Sequence, residues 1–566
     1  MNNEPEEIEL KLRIVPGDIV VLGKHPRFAD AFLDPTHETL NSIYFDSDNR
    51  FLYKHALTLR VRHIGDKHLQ TIKISNLNSG LLERSEWEQI IESDQPDLTL
   101  VKDTVLGPLL TDDVQNALQP IFETRIERAS YHLNENGTEI IVSFDEGQII
   151  AADSSCPVCE IELELKHGSR EELFKIAREI MNIVPAQLEV KSKPERGYEM
   201  LAKTPLTAEM ASDPNLKAGM STGRAFMLVG RACLRQMVVN APATISRDAE
   251  ALHQLRVAFR RLRAAISLFS EVVTDDRVNT IKSELRWLAR ECGPARDLDT
   301  FILEVLNPLR KLNANEPGLV SIRKMFARKR LKSYRQASDA VQSTRFRALV
   351  LDVAEWIEVG PWSASEDALM RSRRQKPIEI YAAEQLSRRR KKIRRRGAKL
   401  SDLPPEQLHR LRIQVKKARY ATEFFSGMYQ GKKAAKRRKA IRSFLMELQD
   451  CLGGINDIMT RKVLFADIIS GPARGLTAEQ GRHRAFAAGL IMGDQQAKVQ
   501  GLLNRARKAY SRFAGAKPFW KLRGQRSISL PQAPESAPGG PNVSDPSTIA
   551  VEQLSHTSNV LPLLRK

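Results

Sequence analysis

Cysteine and aromatic side chains are both scarce in this sequence. Five cysteines occur in 566 residues, scattered between Cys156 and Cys451, and aromatic residues make up 6% of the chain. A small, odd and dispersed set of cysteines argues against a disulfide framework and fits a reducing compartment, so we expect a cytoplasmic protein. The few aromatic rings leave few platforms on which single-stranded bases could stack.

Long apolar runs are absent as well. No run of about 18 apolar residues is found, so we expect no membrane-spanning helix and no membrane partner. The acidic N-terminus, MNNEPEEIELKLRI, lacks the basic-then-apolar layout of a secretory signal. A length of 566 residues with 42% hydrophobic content is nevertheless enough for at least two buried cores.

Positive charge is in clear excess. The formal net charge is +19 at pH 7. Such an excess predicts a polyanionic partner. On charge alone that partner is nucleic acid, inorganic polyphosphate, a nucleotide or an anionic lipid.

The periodicity of the hydrophobic residues changes near residue 203. Residues 1–203 show short alternating strands, and residues 218–525 show long helical periodicity. The segment 204–217 between them is typical of a linker, and the Pro-, Ser- and Gly-rich stretch 526–566 is typical of a disordered tail. The sequence thus predicts an α+β multidomain protein, in which a strand-rich domain is followed by an all-α domain.

Charged residues in the strand-rich half repeat at alternate positions. Strand periodicity places Glu7, Glu9 and Lys11 on one face and aliphatic residues on the other, and the division recurs at Arg60 and Arg62. A solvated sheet face is the ordinary explanation, but like charges two residues apart repel and favour a counter-ligand. A barrel with acids and bases in its lumen explains the pattern, because carboxylates hold divalent cations and basic side chains hold phosphates.

The helical half contains an internal repeat. HQLRVAFRRLRAAISLF begins at His253, and HRLRIQVKKARYATEFF begins 156 residues later at His409. A second matching element follows each copy, and 160 residues separate Asp297 from its counterpart Asp457. This duplication predicts a pseudo-two-fold arrangement in which both copies contribute to one surface.

Each copy carries a basic stripe at helical spacing. The two stripes are His253, Arg256, Arg260 and Arg263, and His409, Arg412, Lys416 and Arg419. Aligned positive charges require either internal acidic partners or an external polyanion. The internal candidates are Asp297, Asp299, Asp450 and Asp457. Because this half is rich in further basic residues, we favour an external polyanion.

The strand-rich half resembles the CYTH domains, which are also called triphosphate tunnel metalloenzymes. The motifs that carry the resemblance are EIELK, YFDS, LRVR, TIK, RSEWE, FDEG and SKPERGY, in this order across residues 4–203. The resemblance implies an antiparallel eight-stranded β tunnel that binds a triphosphate together with Mg²⁺ or Mn²⁺. The implied metal ligands are Glu7, Glu9, Asp145, Glu160 and Glu162. The implied triphosphate-binding residues are Lys11, Arg60, Arg62, Lys73, Arg84, Arg125, Arg128, Lys193 and Arg196. The carboxylates that could orient the attacking water are Glu88, Glu160, Glu162 and Glu164, and the sequence does not choose among them.

The helical half resembles the CHAD domains, which are duplicated helical bundles. The resemblance covers residues 218–525 and rests on both stripes and on the G-x-x-R-D and G-x-x-N-D elements that follow them. It implies that the two stripes bind inorganic polyphosphate in a basic groove. Asn456 stands where the first copy has Arg296, so that corner of the second copy carries less charge.

Together these patterns predict an inorganic triphosphatase that hydrolyses triphosphate to pyrophosphate and phosphate and binds polyphosphate through its helical domain. Two alternatives stay open: a non-catalytic polyphosphate-binding adaptor, or a tunnel enzyme that acts on an organic triphosphate, of the adenylate cyclase or thiamine triphosphatase type. We expect no specific nucleic-acid partner. The helical domain could feed the tunnel, localise the enzyme to polyphosphate granules or sense polymer length, and the sequence does not determine the oligomeric state.

Overall fold

A computed structural model of the chain describes residues 6–28, 34–74, 83–102, 104–202, 208–470 and 477–520. Within these ranges the side chains of 6–7, 83–85 and 463–470 are not described. The tail predicted at 526–566, the start of the predicted linker and the side chains of Glu7 and Arg84 therefore lie outside the described residues.

Nine strands occur among the described residues. They are β1 (Glu6–Arg13), β2 (Thr36–Asp46), β3 (Leu57–Ile64), β4 (Lys67–Ile74), β5 (Glu83–Ile91), β6 (Gln119–Glu135), β7 (Thr138–Ala151), β8 (Ser154–His167) and β9 (Gln187–Glu189). The sheet order is β5-β4-β3-β2-β6-β7-β8-β1-β9, and β5 also pairs with β1. This extra pairing closes eight strands into a barrel, while β9 pairs with the second half of β1. The predicted eight-stranded antiparallel tunnel is therefore confirmed, with one short strand added at its seam.

Both faces of the first strand are buried, although only one face is apolar. Leu10 and Leu12 point away from the lumen and are fully buried in a core that also contains Phe174. Glu9 and Lys11 occupy the lumen face and are also buried. The alternating charges are thus the inner wall of a barrel and not a solvated sheet face.

Helices surround the barrel and form the rest of the fold. The helices of the first 202 residues are α1 (Asp18–Lys24), α2 (Phe51–Lys54), α3 (Asp112–Ala117), α4 (Arg170–Ile183) and α5 (Lys193–Leu201). The later helices are α6 (Thr222–Val239), α7 (Ala241–Ile245), α8 (Ala249–Leu268), α9 (Arg277–Phe301), α10 (Asn307–Leu312), α11 (Pro317–Gln342), α12 (Thr344–Val359), α13 (Pro361–Ala364), α14 (Ala368–Gln375), α15 (Ile378–Gly397), α16 (Pro405–Phe424), α17 (Lys432–Ser470) and α18 (Ala478–Gly515). Short 3₁₀ turns lie at Gly107–Leu109 and Leu400–Asp402, and a π-helical segment lies at Ile302–Leu306. No helix in the described part of the chain is long and apolar enough to cross a membrane.

The internal repeat corresponds to two helix pairs. The first stripe lies on α8 and its following element on α9, whereas the second stripe lies on α16 and its following element on α17. The apolar residues of the repeat, such as Leu255 and Val415, are fully buried. Helices α8 and α16 pack against each other, so the two copies meet at their stripe-bearing helices.

One hydrophobic core runs through both halves of the chain. It includes Leu10 and Phe174 from the strand-rich half and Phe226 and Trp356 from the helical half. Helix α4 packs against α12, where Arg178 binds Asp352 and Glu355, each at 2.6 Å. The described residues accordingly form one compact unit.

Candidate active site and anion groove

A cavity of about 340 Å³ lies inside the barrel and collects most of the predicted site residues. The predicted residues that line it are Glu9, Lys11, Arg60, Arg62, Lys73, Glu88, Arg128, Asp145, Glu162, Glu164 and Lys193. Strand alternation explains the selection, because residues two apart on each strand share the lumen face.

Three buried carboxylates cluster on neighbouring strands of the barrel. Asp145 on β7 lies directly opposite Glu160 on β8 in the register, and Glu162 follows two residues later on the same face. One carboxylate oxygen from each lies within 4.8 Å of the others. These three residues are hereafter the carboxylate triad.

The ammonium group of Lys193 contacts every member of the carboxylate triad. Its Nζ donates to Asp145 Oδ2 at 2.6 Å, to Glu160 Oε1 at 2.5 Å and to Glu162 Oε1 at 3.0 Å. Lys193 is the first residue of α5, which begins with a capping box between Ser192 and Glu195. Burial lowers the pKa of Lys193, but the charges of the triad outweigh it and raise this pKa above its ordinary value.

Two further bases, Arg128 and Lys11, bond members of the triad. Arg128 makes a bidentate bond to Asp145, at 2.6 and 2.7 Å, and donates to Glu162 Oε2 at 2.6 Å. Lys11 bonds Glu162 and lies 3.4 Å from a carboxylate oxygen of Glu9. Burial raises the pKa of Glu162, but the charges of Lys11, Lys193 and Arg128 hold it well below its usual range.

Arginines form the opposite wall of the lumen. Arg60 and Arg62 lie on β3, which is four strands from β8 in either direction around the closed barrel. Burial and the neighbouring charge of Arg60 lower the pKa of Arg62 to about 10. An acidic wall and a basic wall thus face each other across one cavity.

The remaining carboxylates lie outside the triad. On β5, Glu88 accepts a hydrogen bond from Thr71 Oγ1 at 3.1 Å and lies 3.7 Å from Arg60. Glu164, next on the lumen face of β8, binds Lys166. Both carboxylates line the cavity.

Arg125 is not brought to the lumen. Its side chain is 60% exposed and pairs with Glu123 at 2.7 Å on the outer face of β6. Arg125 and Arg128 are three residues apart, so they point to opposite faces of one strand. Strand alternation could have separated them at the sequence level. Arg196 lies at the edge of the site, where its Nη1 is 3.3 Å from Glu160 Oε2.

Several lining residues were not predicted from the sequence. Ser42, Tyr44 and Thr124 line the cavity from β2 and β6, and β2 periodicity would have placed the first two on one face. Arg231 and Arg235 also line it, although both belong to α6 of the helical half. No local signal in the sequence relates α6 to the barrel.

The donor set of the carboxylate triad fits a hard divalent cation. Mg²⁺ and Mn²⁺ prefer oxygen ligands, and all three groups supply carboxylate oxygens. Lys193 places a positive charge among these oxygens, which shows that they favour a cation at this point. Of the other predicted metal ligands, Glu9 lines the cavity outside the triad.

The two basic stripes come together in the helical half. Lys416 interacts electrostatically with Arg260 and Arg263 of the other stripe. Burial and the charges of these arginines, with those of Arg412 and Arg419, lower the pKa of Lys416 to about 7. We call this surface the stripe groove, and its residues are His253, Arg256, Arg260, Arg263, His409, Arg412, Lys416 and Arg419.

Internal acidic residues form ion pairs with only some of the basic residues of the stripe groove. Arg256 pairs with Asp297 at 3.0 Å and donates to the carbonyl oxygen of Cys292 at 2.9 Å. Asp299 instead binds Arg330 and Tyr334, outside the stripes. Within the described part of the chain, the buried atoms His253 Nδ1, Arg260 Nε and Arg412 Nε have no hydrogen-bond partner. The Nε–H groups of Arg260 and Arg412 are therefore buried donors that favour an added acceptor.

Two known domain families match different parts of the chain. The CYTH domain model matches residues 5–198, and the CHAD domain model matches residues 229–466. The chain therefore carries a CYTH domain followed by a CHAD domain. The barrel and its carboxylate triad lie in the first, and the stripe groove lies in the second.

Individual relatives are more distant. An inorganic triphosphatase from Haemophilus influenzae is 32% identical over 206 residues, which cover 36% of this chain and 57% of the relative. The chain thus spans little more than half the length of this curated relative. The crystal structure of a CHAD domain from Ricinus communis is 26% identical, with a TM-score of 0.44 over 54% of this chain and 96% of that domain. A Hippeastrum protein with a dominant triphosphatase activity is 18% identical, with a TM-score of 0.26 over 33% of this chain and 91% of its own.

Proposed function

We propose that the CYTH domain hydrolyses inorganic triphosphate to pyrophosphate and phosphate. The observation that carries this proposal is the pair of opposed walls in one closed barrel, with the carboxylate triad on one side and Arg60 and Arg62 on the other. A linear triphosphate between these walls would meet arginines along its oxygens and the triad at one end. The inorganic triphosphatase among the relatives supports the same substrate.

The basic wall provides the electrostatic part of the reaction. A triphosphate repels a nucleophile, and attack at its terminal phosphorus requires that charge to be offset by fixed cations. Arg60 and Arg62 project from β3 into the cavity, and Arg62 Nε donates to Ser42 Oγ at 3.2 Å. These groups stabilise the charge that develops on the pyrophosphate leaving group.

Glu88 and Glu164 are the better candidates to orient the attacking water. Glu160 and Glu162 belong to the triad, and the depressed pKa of Glu162 makes it a weak base. Glu88 and Glu164 line the same cavity outside the triad. The carboxylate takes the water proton as the new P–O bond forms and the bond to pyrophosphate breaks.

The carboxylate triad would hold Mg²⁺ or Mn²⁺ in the active enzyme. A bound divalent ion supplies charge neutralisation and lowers the pKa of water. Lys193 would then turn from the triad to the phosphate oxygens, because a dication competes for the same three carboxylates. Lys193 can contact the triad or the phosphate oxygens, because it is the first residue of α5 and lines the cavity.

The lining of the cavity favours an inorganic substrate over an organic one. Among the described lining residues, Tyr44 supplies the one aromatic ring, and it stacks on Phe122 with ring centroids 4.6 Å apart. The volume of about 340 Å³ is at the small end of ligand pockets. A nucleoside or thiamine group would need a larger apolar recess.

Phosphate release from inorganic triphosphate with Mg²⁺ or Mn²⁺ tests this activity. We expect Glu162→Gln and Arg128→Ala to reduce kcat by about 10²-fold or more, in the range found when one stabilising group is removed. Glu146→Gln and Arg125→Ala are matched controls, because both residues are exposed on the outer face of the barrel. Arg125 lies on β6, the strand of Arg128, and Glu146 lies on β7, which pairs with the strand of Glu162. Glu7→Gln tests the remaining predicted metal ligand in the same assay.

Failure of this assay has a definite meaning. If the wild type releases no phosphate from triphosphate, ATP or thiamine triphosphate with either metal, the enzyme proposal is wrong. The chain is then better described as a non-catalytic adaptor with two anion sites. Turnover of ATP or thiamine triphosphate alone would favour the organic-substrate alternative.

We propose that the stripe groove of the CHAD domain binds inorganic polyphosphate. Helices α8 and α16 pack together, and the buried Nε atoms of Arg260 and Arg412, one on each helix, have no hydrogen-bond partner among the described residues. These two neighbouring basic helices support a flexible linear polyanion that contacts both stripes. DNA is a weaker candidate, because its charges are spaced along a rigid duplex.

Fluorescence anisotropy with labelled long-chain polyphosphate tests groove binding. We expect Arg260→Ala combined with Arg412→Ala to weaken binding at least tenfold. The matched control is Lys433→Ala with Lys436→Ala, which removes two exposed charges from the basic run at the start of α17. Equal losses in both double variants would indicate nonspecific charge binding, and DNA that competes as well as polyphosphate would contradict the assignment.

A further inference from the structure

Of the two α6 arginines that line the barrel cavity, Arg235 bonds to the segment that carries Lys193. Arg235 on α6 is 17% exposed, lines the cavity and makes one bond to the segment before α5 and one to the first turn of α5. Its Nη1 donates to the carbonyl oxygen of Val190 at 2.7 Å, and its Nη2 donates to Glu195 Oε1 at 2.8 Å. The guanidinium therefore bridges two points of one short segment.

These two points flank Lys193. Glu195 uses its other oxygen, Oε2, to accept the Ser192 backbone N–H at 2.8 Å, and this bond completes the capping box that starts α5. One carboxylate oxygen of Glu195 therefore binds Arg235, and the other binds the backbone at the start of α5. Movement of Glu195 would shift the first turn of α5, and Lys193 is the first residue of that turn.

The position of Lys193 matters because its Nζ lies among all three triad carboxylates. Misplacement of a catalytic or binding group by about 1 Å can cost on the order of 10²-fold in rate. A planar, two-pronged guanidinium fixes orientation in a way that an ammonium group does not.

We propose that Arg235 is a positioning residue for the tunnel, through which the CHAD domain sets the location of Lys193. This inference rests on the proposed hydrolysis and deepens it, because it makes the helical domain part of the catalytic architecture. Arg235 acts through Val190 and Glu195 and not by contact with the reacting atoms.

The test compares two arginines that both bridge the domains in the full chain. Arg178→Ala removes the ion pairs to Asp352 and Glu355 at the α4–α12 contact, and Arg178 is not among the residues that line the cavity. Arg235→Ala removes the bridge beside Lys193. We expect Arg235→Ala to lower kcat/KM for triphosphate by about 10- to 100-fold, and Arg178→Ala to change it less than twofold.

Two further variants separate positioning from a general loss of stability. Arg235→Lys can satisfy one acceptor but not both, so it should recover part of the activity. Glu195→Gln combined with Arg235→Ala should lose little more than the larger single loss, because both act on one contact. Melting temperatures of all variants are measured alongside activity.

The results that would overturn the inference are specific. Activity of Arg235→Ala within twofold of wild type contradicts it, and so does a loss that tracks melting temperature equally in both arginine variants. If the wild type itself releases no phosphate, the proposed hydrolysis has failed. Calorimetric binding of triphosphate then tests Arg235 separately: unchanged affinity in Arg235→Ala rejects positioning, and weaker affinity supports it.

Discussion

At the scale of single residues, neighbouring charges shift the pKa values of buried side chains in both domains. Lys416 is the clearest case, since burial and four surrounding arginines lower its pKa to about 7. In the barrel the opposite situation holds, because Glu162 is buried among bases that keep it ionised. Basic neighbours thus lower the pKa of a buried lysine in one domain and lower the pKa of a buried glutamate in the other.

The pKa of Lys416 predicts how polyphosphate binding depends on pH. A bound polyanion favours the charged ammonium, so binding above about pH 7 must be coupled to proton uptake by Lys416. We expect the affinity to fall as the pH rises from 7 to 9, by up to about tenfold per pH unit.

Anisotropy titrations with polyphosphate at several pH values and constant ionic strength measure this dependence. In Lys416→Arg the charge is permanent, so the curve should flatten. Lys498→Arg is the control, because this lysine pairs with Asp494 at 2.6 Å on α18 and should leave the dependence unchanged. A wild-type affinity that is constant from pH 7 to 9 would refute the prediction.

At the scale of elements, the duplicated helix pairs are similar but not identical in packing. Gly293 on α9 faces Arg256, and a Cβ atom there would lie 3.3 Å from its Nη1. Gly453, its counterpart on α17, faces Arg412, and a Cβ atom would lie 3.6 Å from its Nε. The first contact is tight and the second is an ordinary van der Waals distance.

This difference predicts opposite results for two equivalent substitutions. Gly293→Ala should displace the Arg256 guanidinium from the Cys292 carbonyl and weaken polyphosphate binding several-fold. Gly453→Ala should leave binding unchanged and stabilise the fold by up to about 1 kcal/mol, the helix-propensity difference between the two residues. Urea unfolding and anisotropy measure the two effects. Equal binding losses in both variants would show that the copies are equivalent.

Strand elements show how far sequence reasoning reaches. Period-two alternation alone placed Glu9, Lys11, Arg60, Arg62 and Glu162 on the charged face of their respective strands. All five residues line the cavity. The same rule, applied strictly, would have excluded Arg125, which was grouped with Arg128 by motif and not by periodicity. Local periodicity fixes which side of a strand a residue occupies, but it does not say which strand lies opposite.

At the scale of the whole molecule, the two domains share one hydrophobic core. Phe174 of the CYTH domain and Trp356 of the CHAD domain belong to the same buried cluster. The described part of the predicted linker also packs against the helices, since Leu216 is buried. The backbone N–H of Glu209 donates to Asn240 Oδ1, and its carbonyl oxygen accepts from Asn240 Nδ2, each at 3.0 Å. Two domains joined in this way should not unfold independently.

We therefore expect one cooperative transition when the full chain is unfolded by heat in a calorimeter. Arg178→Ala should lower the melting temperature slightly, by an amount equivalent to about 1 kcal/mol or less, because its ion pairs are partly exposed. The transition should nevertheless stay single. Two separate transitions in the wild type would show that the shared core does not couple the domains.

The sequence by itself determined the two domain classes, the charged face of each strand and the basic stripe of each repeat helix. These features follow from periods of two and of about 3.6 residues, which are local properties of the backbone. Tertiary structure alone decided that β5 closes onto β1, which sets Arg60 across the lumen from Glu160. It also decided that Arg235 of a distant helix clamps the turn beside Lys193. Such contacts join residues far apart in the chain, and packing rather than local periodicity selects them.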